Sequence, residues 1–227
     1  MAIRHANPEL AVLARVGRAP DPFAWPAADH QGDGRFDDPR QEFGVLYAGE
    51  SRFVCYLESL DQYRPFQALL QQVAIFGPDS FTPRTGLVPA SFFTRLVGWF
   101  RLDPGQRWLD LRISAPETAV ALSREHAIAT VLPELGYGPR FKPGDLLGSD
   151  RRLTQMVARW AYEQGYAGLT YSCSHRPTLD CWAIFEGASF SVIGKPATID
   201  PADPEVIAVA REFGLTISFA HRPAHPS

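Results

Sequence analysis

Three observations predict a single mixed helix and strand domain of the α+β class. The chain has 227 residues, enough for one large domain and short for two. Short apolar runs of the kind that form strands are interleaved, in irregular order, with stripes at helical spacing. Twenty prolines and eighteen glycines divide the chain into short elements joined by many turns.

Each element has its own signal. Leu10, Val12, Leu13 and Val16 recur near helical spacing before Gly17, predicting a short helix from about Pro8 to Val16 in an N-terminal extension, residues 1–29. Residues 29–39 form a turn-rich loop, whose Gly32 and Gly34 permit tight backbone geometry and close approach to a ligand. Phe43 to Ala48 reads as a strand with Phe43, Val45 and Tyr47 on one face and both faces buried. From the N-cap Ser51 to about Gln62, the stripe Phe53, Val54, Leu57 and Leu60 predicts a helix.

The middle of the chain gives a helix around Ala90 to Val97, a strand around Arg107 to Leu111, and helical material from Pro116 to about Leu132. Residues 64–150 carry no motif beyond core and turns. A helix then runs from Asp150, with Leu153, Met156, Val157, Trp160 and Ala161 on one side and Gly165 closing it. Gly168 to Cys173 and Cys181 to Phe185 are strands flanking the polar loop Ser174 to Asp180. Asp203 and Pro204 open a last helix that Gly214 closes, and Leu215 to Phe219 is a final strand. The C-terminal helix and strand, residues 191–227, complete the same domain.

A net charge of −3 from 22 basic and 25 acidic interspersed residues supplies no long-range field for nucleic acid or an anionic membrane. Any anionic ligand must be held by a few local cations. No stretch approaches the roughly 18 apolar residues of a membrane-spanning helix, and MAIRHANPEL lacks the apolar core of a signal peptide, so the expected location is the cytosol. Cys55, Cys173 and Cys181 form no CxxC pair, and the histidines have no HExxH spacing. Neither a disulfide scaffold nor a bound metal is expected. The nucleotide-binding patterns GxGxxG and GxxxxGK[ST] are absent.

Four residues could carry chemistry. Glu58 has Val54, Cys55, Asp61 and Gln62 three and four positions away, so no cation on its own helix can pair with it. If it faces inward it needs a cation brought from elsewhere, because an unpaired buried carboxylate is costly; otherwise it is an ordinary solvated helix residue. Arg35, in its glycine-flanked loop, is the natural distant partner or an anion binder, its planar fork suiting a pyrophosphate or carboxylate. Tyr47 offers a ring for a base to stack on, or is simply core. Ser172, at a strand end where ligands commonly bind, could donate to a phosphate or ribose, or form a turn.

Taken together, GRFDDP at 34–39, FGVLYAGESRFVCYLESL at 43–60 and GYAGLTYSCS at 165–174 resemble the RES family, named for an Arg, a Glu and a Ser. The resemblance covers roughly residues 30–190 and departs from the family at Phe36 and Asp37, where members often read Trp-Asn. It implies a fold like that of ADP-ribosyltransferases and destruction of NAD⁺ by hydrolysis or phosphorolysis. NAD⁺ is then a substrate, with no bound cofactor, and the protein is a toxin with a neutralising antitoxin as partner; self-association stays open. The resemblance casts Glu58 as stabiliser of the positive charge on the ribose, Arg35 as the grip on the anionic part of NAD⁺, Tyr47 as wall to the nicotinamide, and Ser172 as a hydrogen-bond donor to phosphate or ribose. Transfer of ADP-ribose to a protein and a catalytically silent binding module are the alternatives.

Overall fold

In the computed structural model, which describes residues 2–8, 11–27, 31–65, 86–148 and 150–218, the chain is organised around one large sheet. Its elements are β1 (Val12–Gly17), β2 (Val45–Gly49), α1 (Arg52–Leu60), β3 (Leu87–Val88), β4 (Leu96–Leu102), β5 (Trp108–Asp110), α2 (Pro116–Leu122), α3 (His126–Ala129), α4 (Arg152–Glu163), β6 (Gly168–Ser172), β7 (Asp180–Phe185), β8 (Phe190–Thr198), α5 (Pro204–Phe213) and β9 (Thr216–Ile217). Among the described residues seven strands share the sheet in the order β5-β6-β7-β2-β1-β4-β8, antiparallel except for the β5–β6 pair, and β3 with β9 forms a small parallel pair beside it. This is the mixed α+β class.

The seam between β1 and β2 positions the site. β1 pairs with β4 over its whole length, from Val12↔Arg101 to Gly17↔Leu96, and β2 pairs with β7 from Val45↔Phe185 to Gly49↔Cys181. Between β1 and β2 the only register pair among the described residues is Ala14↔Gly49. Beyond it the strands part, and Arg15 bridges the gap: its Nη1 donates to the Tyr47 carbonyl at 2.7 Å and its Nε to the Pro22 carbonyl at 2.6 Å.

α1 closes one side of this opening. Ser51 caps it, accepting from the Val54 amide at 3.4 Å, and Val54, Leu57 and Leu60 are fully buried. The helix starts hard against β2 because position 49 is a glycine; a Cβ there would lie 2.8 Å from the Val54 side chain. Period-two alternation sends Phe43 and Val45 into the core beneath α1, α4 and α5, and Leu46 and Ala48 into a second core on the opposite face with Phe23, Phe100, Trp108 and Trp182. α5, capped by Asp203 and closed by Gly214 at φ 65°, is tied to α1 through the Arg52–Asp203 ion pair at 3.0 Å.

Two expectations are corrected. The segment predicted as an N-terminal helix, so far as it is described, is the central strand β1; Glu9 and Leu10 lie outside the described residues. A strand buried in mid-sheet presents a near-continuous apolar run without clean alternation, and over so few residues that run imitates a helical stripe. The helix expected at Ala90 to Val97 is a 3₁₀ turn, Ala90–Thr94, followed by the start of β4 at Leu96. The helical stretch from Pro116 divides into α2 and α3, and the final strand is described only at β9, Phe219 lying outside.

Edge strand β8 was not anticipated. Gly194, at φ 66°, and Pro196 interrupt it, and its register against β4 shifts between Val97 and Trp99. Such residues are tolerated on a sheet edge but read as turn signals in sequence. Among the described residues no helix is long and apolar enough to cross a membrane.

Candidate active site

Where β1 and β2 part, a cavity of about 430 Å³ opens, within the range of small-molecule sites. Arg15 of β1, Tyr47 of β2, Cys55 and Glu58 of α1, Tyr171 of β6, Ser174 of the following loop, and Gly34, Arg35 and Arg151 line it. The structure therefore brings Arg35, Tyr47 and Glu58 around one space. Ser172 is not among the lining residues.

The 31–42 loop holds the arginine end. Asp37 folds the loop by accepting from the amides of Gly32 at 3.0 Å and Gly34 at 2.7 Å through one oxygen, and from the Tyr47 hydroxyl at 2.6 Å through the other. The same hydroxyl accepts from the Phe36 amide at 2.8 Å. Burial first, then the adjacent Asp37 carboxylate, hold the Tyr47 hydroxyl well above its usual pKa, so it stays a donor. The departure at positions 36 and 37 thus has a structural role: Phe36 is fully buried against the Tyr171 ring, and the Asp37 carboxylate organises the loop.

Helix α4 braces this loop from behind. Gln155 donates to the carbonyls of Gly32 at 2.9 Å and Gly34 at 3.1 Å, and the Thr154 hydroxyl donates to the Arg35 carbonyl. Arg159 engages Asp38 at 3.3 Å and Glu42 at 2.5 Å. Two of the three loop aspartates are therefore turned inward, Asp37 onto backbone amides and Asp38 onto Arg159, leaving Asp33 exposed. The Arg35 guanidinium is steadied by neutral partners, donating through Nη1 to the carbonyls of Leu146 at 2.7 Å and Gly148 at 2.8 Å. Arg151 lines the same cavity, and no ion pair among the described residues engages it.

Glu58 forms the other end. One carboxylate oxygen accepts from the Cys173 thiol at 3.1 Å, the Ser174 hydroxyl at 3.4 Å and, more distantly, the Cys181 thiol at 3.9 Å. The suggested pairing of Arg35 with Glu58 is not formed: no ion pair among the described residues includes either side chain. Glu58 is half-buried, oriented by neutral donors, and open to the cavity.

Ser172 is placed elsewhere. It is buried, and its hydroxyl accepts from the Ile113 amide at 3.2 Å, tying β6 to the segment after β5. Alternation along β6 sends Tyr171 and Cys173 toward α1 and Ser172 to the opposite side; Ser174 lies past the end of the strand, where the chain bends, and it reaches the cavity. The serine at the site is the second of Tyr-Ser-Cys-Ser.

Arg15 and Arg151 were also missed. The signal for Arg15 is an arginine inside the apolar run VLARVG; half-buried, it spans the seam at the cavity wall, and desolvation pulls its guanidinium down to about 10. As for the thiols, burial pushes Cys55 up to about 12. The Cys173 side chain, with burial and Glu58 adding to it, holds Cys181 well above the thiol range. Neither Cys55 nor Cys181 is a ready nucleophile.

A family model described as "RES domain" matches residues 12–205. The match begins at the first residue of β1. No curated protein matches the chain in sequence. Among solved structures, a chain of the crystal structure of the M. tuberculosis MbcT-MbcA toxin-antitoxin complex has the same fold, with a TM-score of 0.51 and 13% identity over 93% of this chain and 90% of that one.

Proposed function

The chain belongs to the RES domain family, and we propose that it is a toxin that breaks the bond between nicotinamide and ribose in NAD⁺. The observation that carries this reading is Glu58, a carboxylate with no cationic partner among the described residues, facing a cavity that arginines line elsewhere. Loss of nicotinamide builds positive charge on the ribose carbon, and a pre-oriented carboxylate stabilises that charge as it develops. Neutral donors fix its direction without spending its charge. The bonding pair of the cleaved bond leaves with nicotinamide, which departs as a neutral base and needs no general acid. Water or phosphate then adds to the ribose carbon and loses a proton.

Arg35, with Arg151 beside the same space, supplies the grip for the pyrophosphate, a planar fork with its charge intact. Tyr47 contributes its ring as a wall, because its hydroxyl is committed to Asp37 and Phe36. Ser174, rather than Ser172, brings a hydroxyl to the cavity, where it donates its proton to Glu58 and can accept from a ribose hydroxyl. NAD⁺ enters as a cytosolic substrate. The fold shared with a chain of a toxin-antitoxin complex supports a neutralising antitoxin as partner.

The test is nicotinamide release from NAD⁺ by purified protein, with and without inorganic phosphate, against Glu58→Gln. Release by wild type alone is expected, and dependence on phosphate identifies phosphorolysis. ADP-ribose fixed on a protein instead would move the reading to protein modification. No turnover by folded wild type would leave a binding module.

A further inference from the structure

We propose that Glu58, Cys173 and Cys181 form a site for a thiophilic divalent cation of the zinc class, and that the ion, once bound, blocks the NAD⁺-cleaving carboxylate. The second half rests on the function proposed above; the first does not. The Sγ atoms of Cys173 and Cys181 and a Glu58 oxygen all lie within 4.8 Å of one another, and each sulfur approaches that oxygen, at 3.1 and 3.9 Å. Around tetrahedral zinc, with Zn–S near 2.3 Å and Zn–O near 2.1 Å, ligand atoms are separated by roughly 3.5 to 3.8 Å. The two sulfur–oxygen distances bracket that spacing and the sulfurs lie within 4.8 Å of each other, so closure onto an ion needs side-chain shifts of about an ångström.

The ligands come from regular elements rather than loose loops. Cys181 lies in β7 opposite Tyr171 of β6. Cys173 follows β6 directly and is fixed by the hydrogen bond its amide donates to the Leu179 carbonyl at 2.9 Å, and Glu58 comes from α1. Both sulfurs are buried, but Glu58 and Ser174 line the cavity, which gives an ion a way in and leaves the fourth coordination position facing it. Three protein ligands with one open position describe a site that exchanges its ion rather than a closed structural one. Two thiols with one carboxylate favour zinc or cadmium over magnesium and calcium, which take oxygen ligands.

Charge also balances. One dication displaces two thiol protons to solvent, so the carboxylate with two thiols and the carboxylate with two thiolates plus the ion both carry a single negative charge. Binding therefore adds no net buried charge. It does occupy the Glu58 oxygen that the reaction needs. The third cysteine stands apart, its thiol donating to the Ala14 carbonyl at 3.0 Å.

The experiment is titration of reduced, chelator-stripped protein with Co²⁺ in the absence of NAD⁺, followed by its absorption spectrum. A near-ultraviolet thiolate-to-cobalt band saturating at one ion per chain, bleached by Zn²⁺, is expected. It should vanish in Cys173→Ala and in Cys181→Ala, each shown to be folded by its thermal melt, and persist in Cys55→Ala. No thiolate band, or a band unchanged in both variants, overturns the site. Zn²⁺ at one equivalent should then abolish nicotinamide release by wild type, with recovery on adding chelator. Full turnover by zinc-loaded protein overturns the inhibitory half. If metal-free protein releases no nicotinamide at all, the NAD⁺ reading has failed, while the cobalt band still decides the site.

Discussion

The two ends of the cavity solve the same problem with opposite charges. At one end Arg35 is oriented by the carbonyls of Leu146 and Gly148; at the other Glu58 is oriented by two thiols and a hydroxyl. Neither charge is cancelled by a counter-ion among the described residues. Elsewhere the pattern differs: Arg112 is locked between Asp110 at 2.8 Å and Asp180 at 2.6 Å, and Arg159 among Asp38, Glu42 and Glu163. Arg112 and Arg159 are neutralised, whereas the cavity keeps the charges of Arg35 and Glu58 available. A neutral hydrogen bond fixes direction at modest energetic gain, while an ion pair would also consume the field a ligand needs.

If the comparison holds, the two ends fail differently. Glu58→Gln keeps the shape and removes the charge, so turnover should fall about 10²- to 10³-fold, as when one transition-state stabilising group is lost, with little change in KM or melting temperature. Equal losses of turnover and fold, read by circular dichroism, would make Glu58 a structural residue. Arg35→Ala should act on the ground state, raising KM about 10- to 150-fold, the equivalent of about 1.5–3 kcal/mol for a charge-assisted hydrogen bond, and lowering turnover less. A fall in turnover as large as that of Glu58→Gln, at unchanged KM, would merge the two ends into one catalytic unit.

Tyr47→Phe probes how the arginine end is built. The hydroxyl bond to Asp37 is worth about 1.5 kcal/mol, which chemical denaturation near neutral pH should show as a lower midpoint at constant slope. Because the folded pKa of Tyr47 is raised above 10.0, its contribution is fully present below pH 10 and lost as pH rises from there toward the folded value. The stability gap between wild type and Tyr47→Phe should therefore narrow above pH 10. A gap that widens there would mean that the hydroxyl ionises more readily in the fold than in the unfolded chain.

The arginine end was legible in sequence and the glutamate end only half so, for a physical reason. Gly34, Arg35 and Tyr47 belong to consecutive loop and strand, and α1 follows at once. Local turn chemistry, period-two alternation and the Ser51 cap therefore place three of the four candidate residues. The partners of Glu58 come from the far end of the chain through the β6–β7 hairpin, whose register no local signal specifies. Arg15 was hidden similarly: its function depends on β1 parting from β2, while its sequence context is an apolar run that fits either a helix or a central strand. β8 escaped because Gly194 and Pro196, harmless on an edge, look like the end of structure. The motifs locate the chemistry, and tertiary pairing decides which neighbouring side chain delivers it.

Ser172 and Ser174 give the finest test of that last point, since they are two residues apart on one short segment and the structure assigns them unlike tasks. Ser174→Ala removes a donor from the Glu58 oxygen and should lower turnover by about 1 kcal/mol or less, with stability unchanged. Ser172→Ala leaves the Ile113 amide without its acceptor inside the fold and should cost about 1 kcal/mol of stability, read as a lower denaturation midpoint, with kcat and KM unchanged once the protein is folded. The reverse pattern would require β6 to present the opposite face to α1. Because a one-residue slip inverts every side chain of a strand, it would also carry Tyr171 and Cys173 away from Glu58, and the cobalt band at Cys173 and Cys181 would be lost with them.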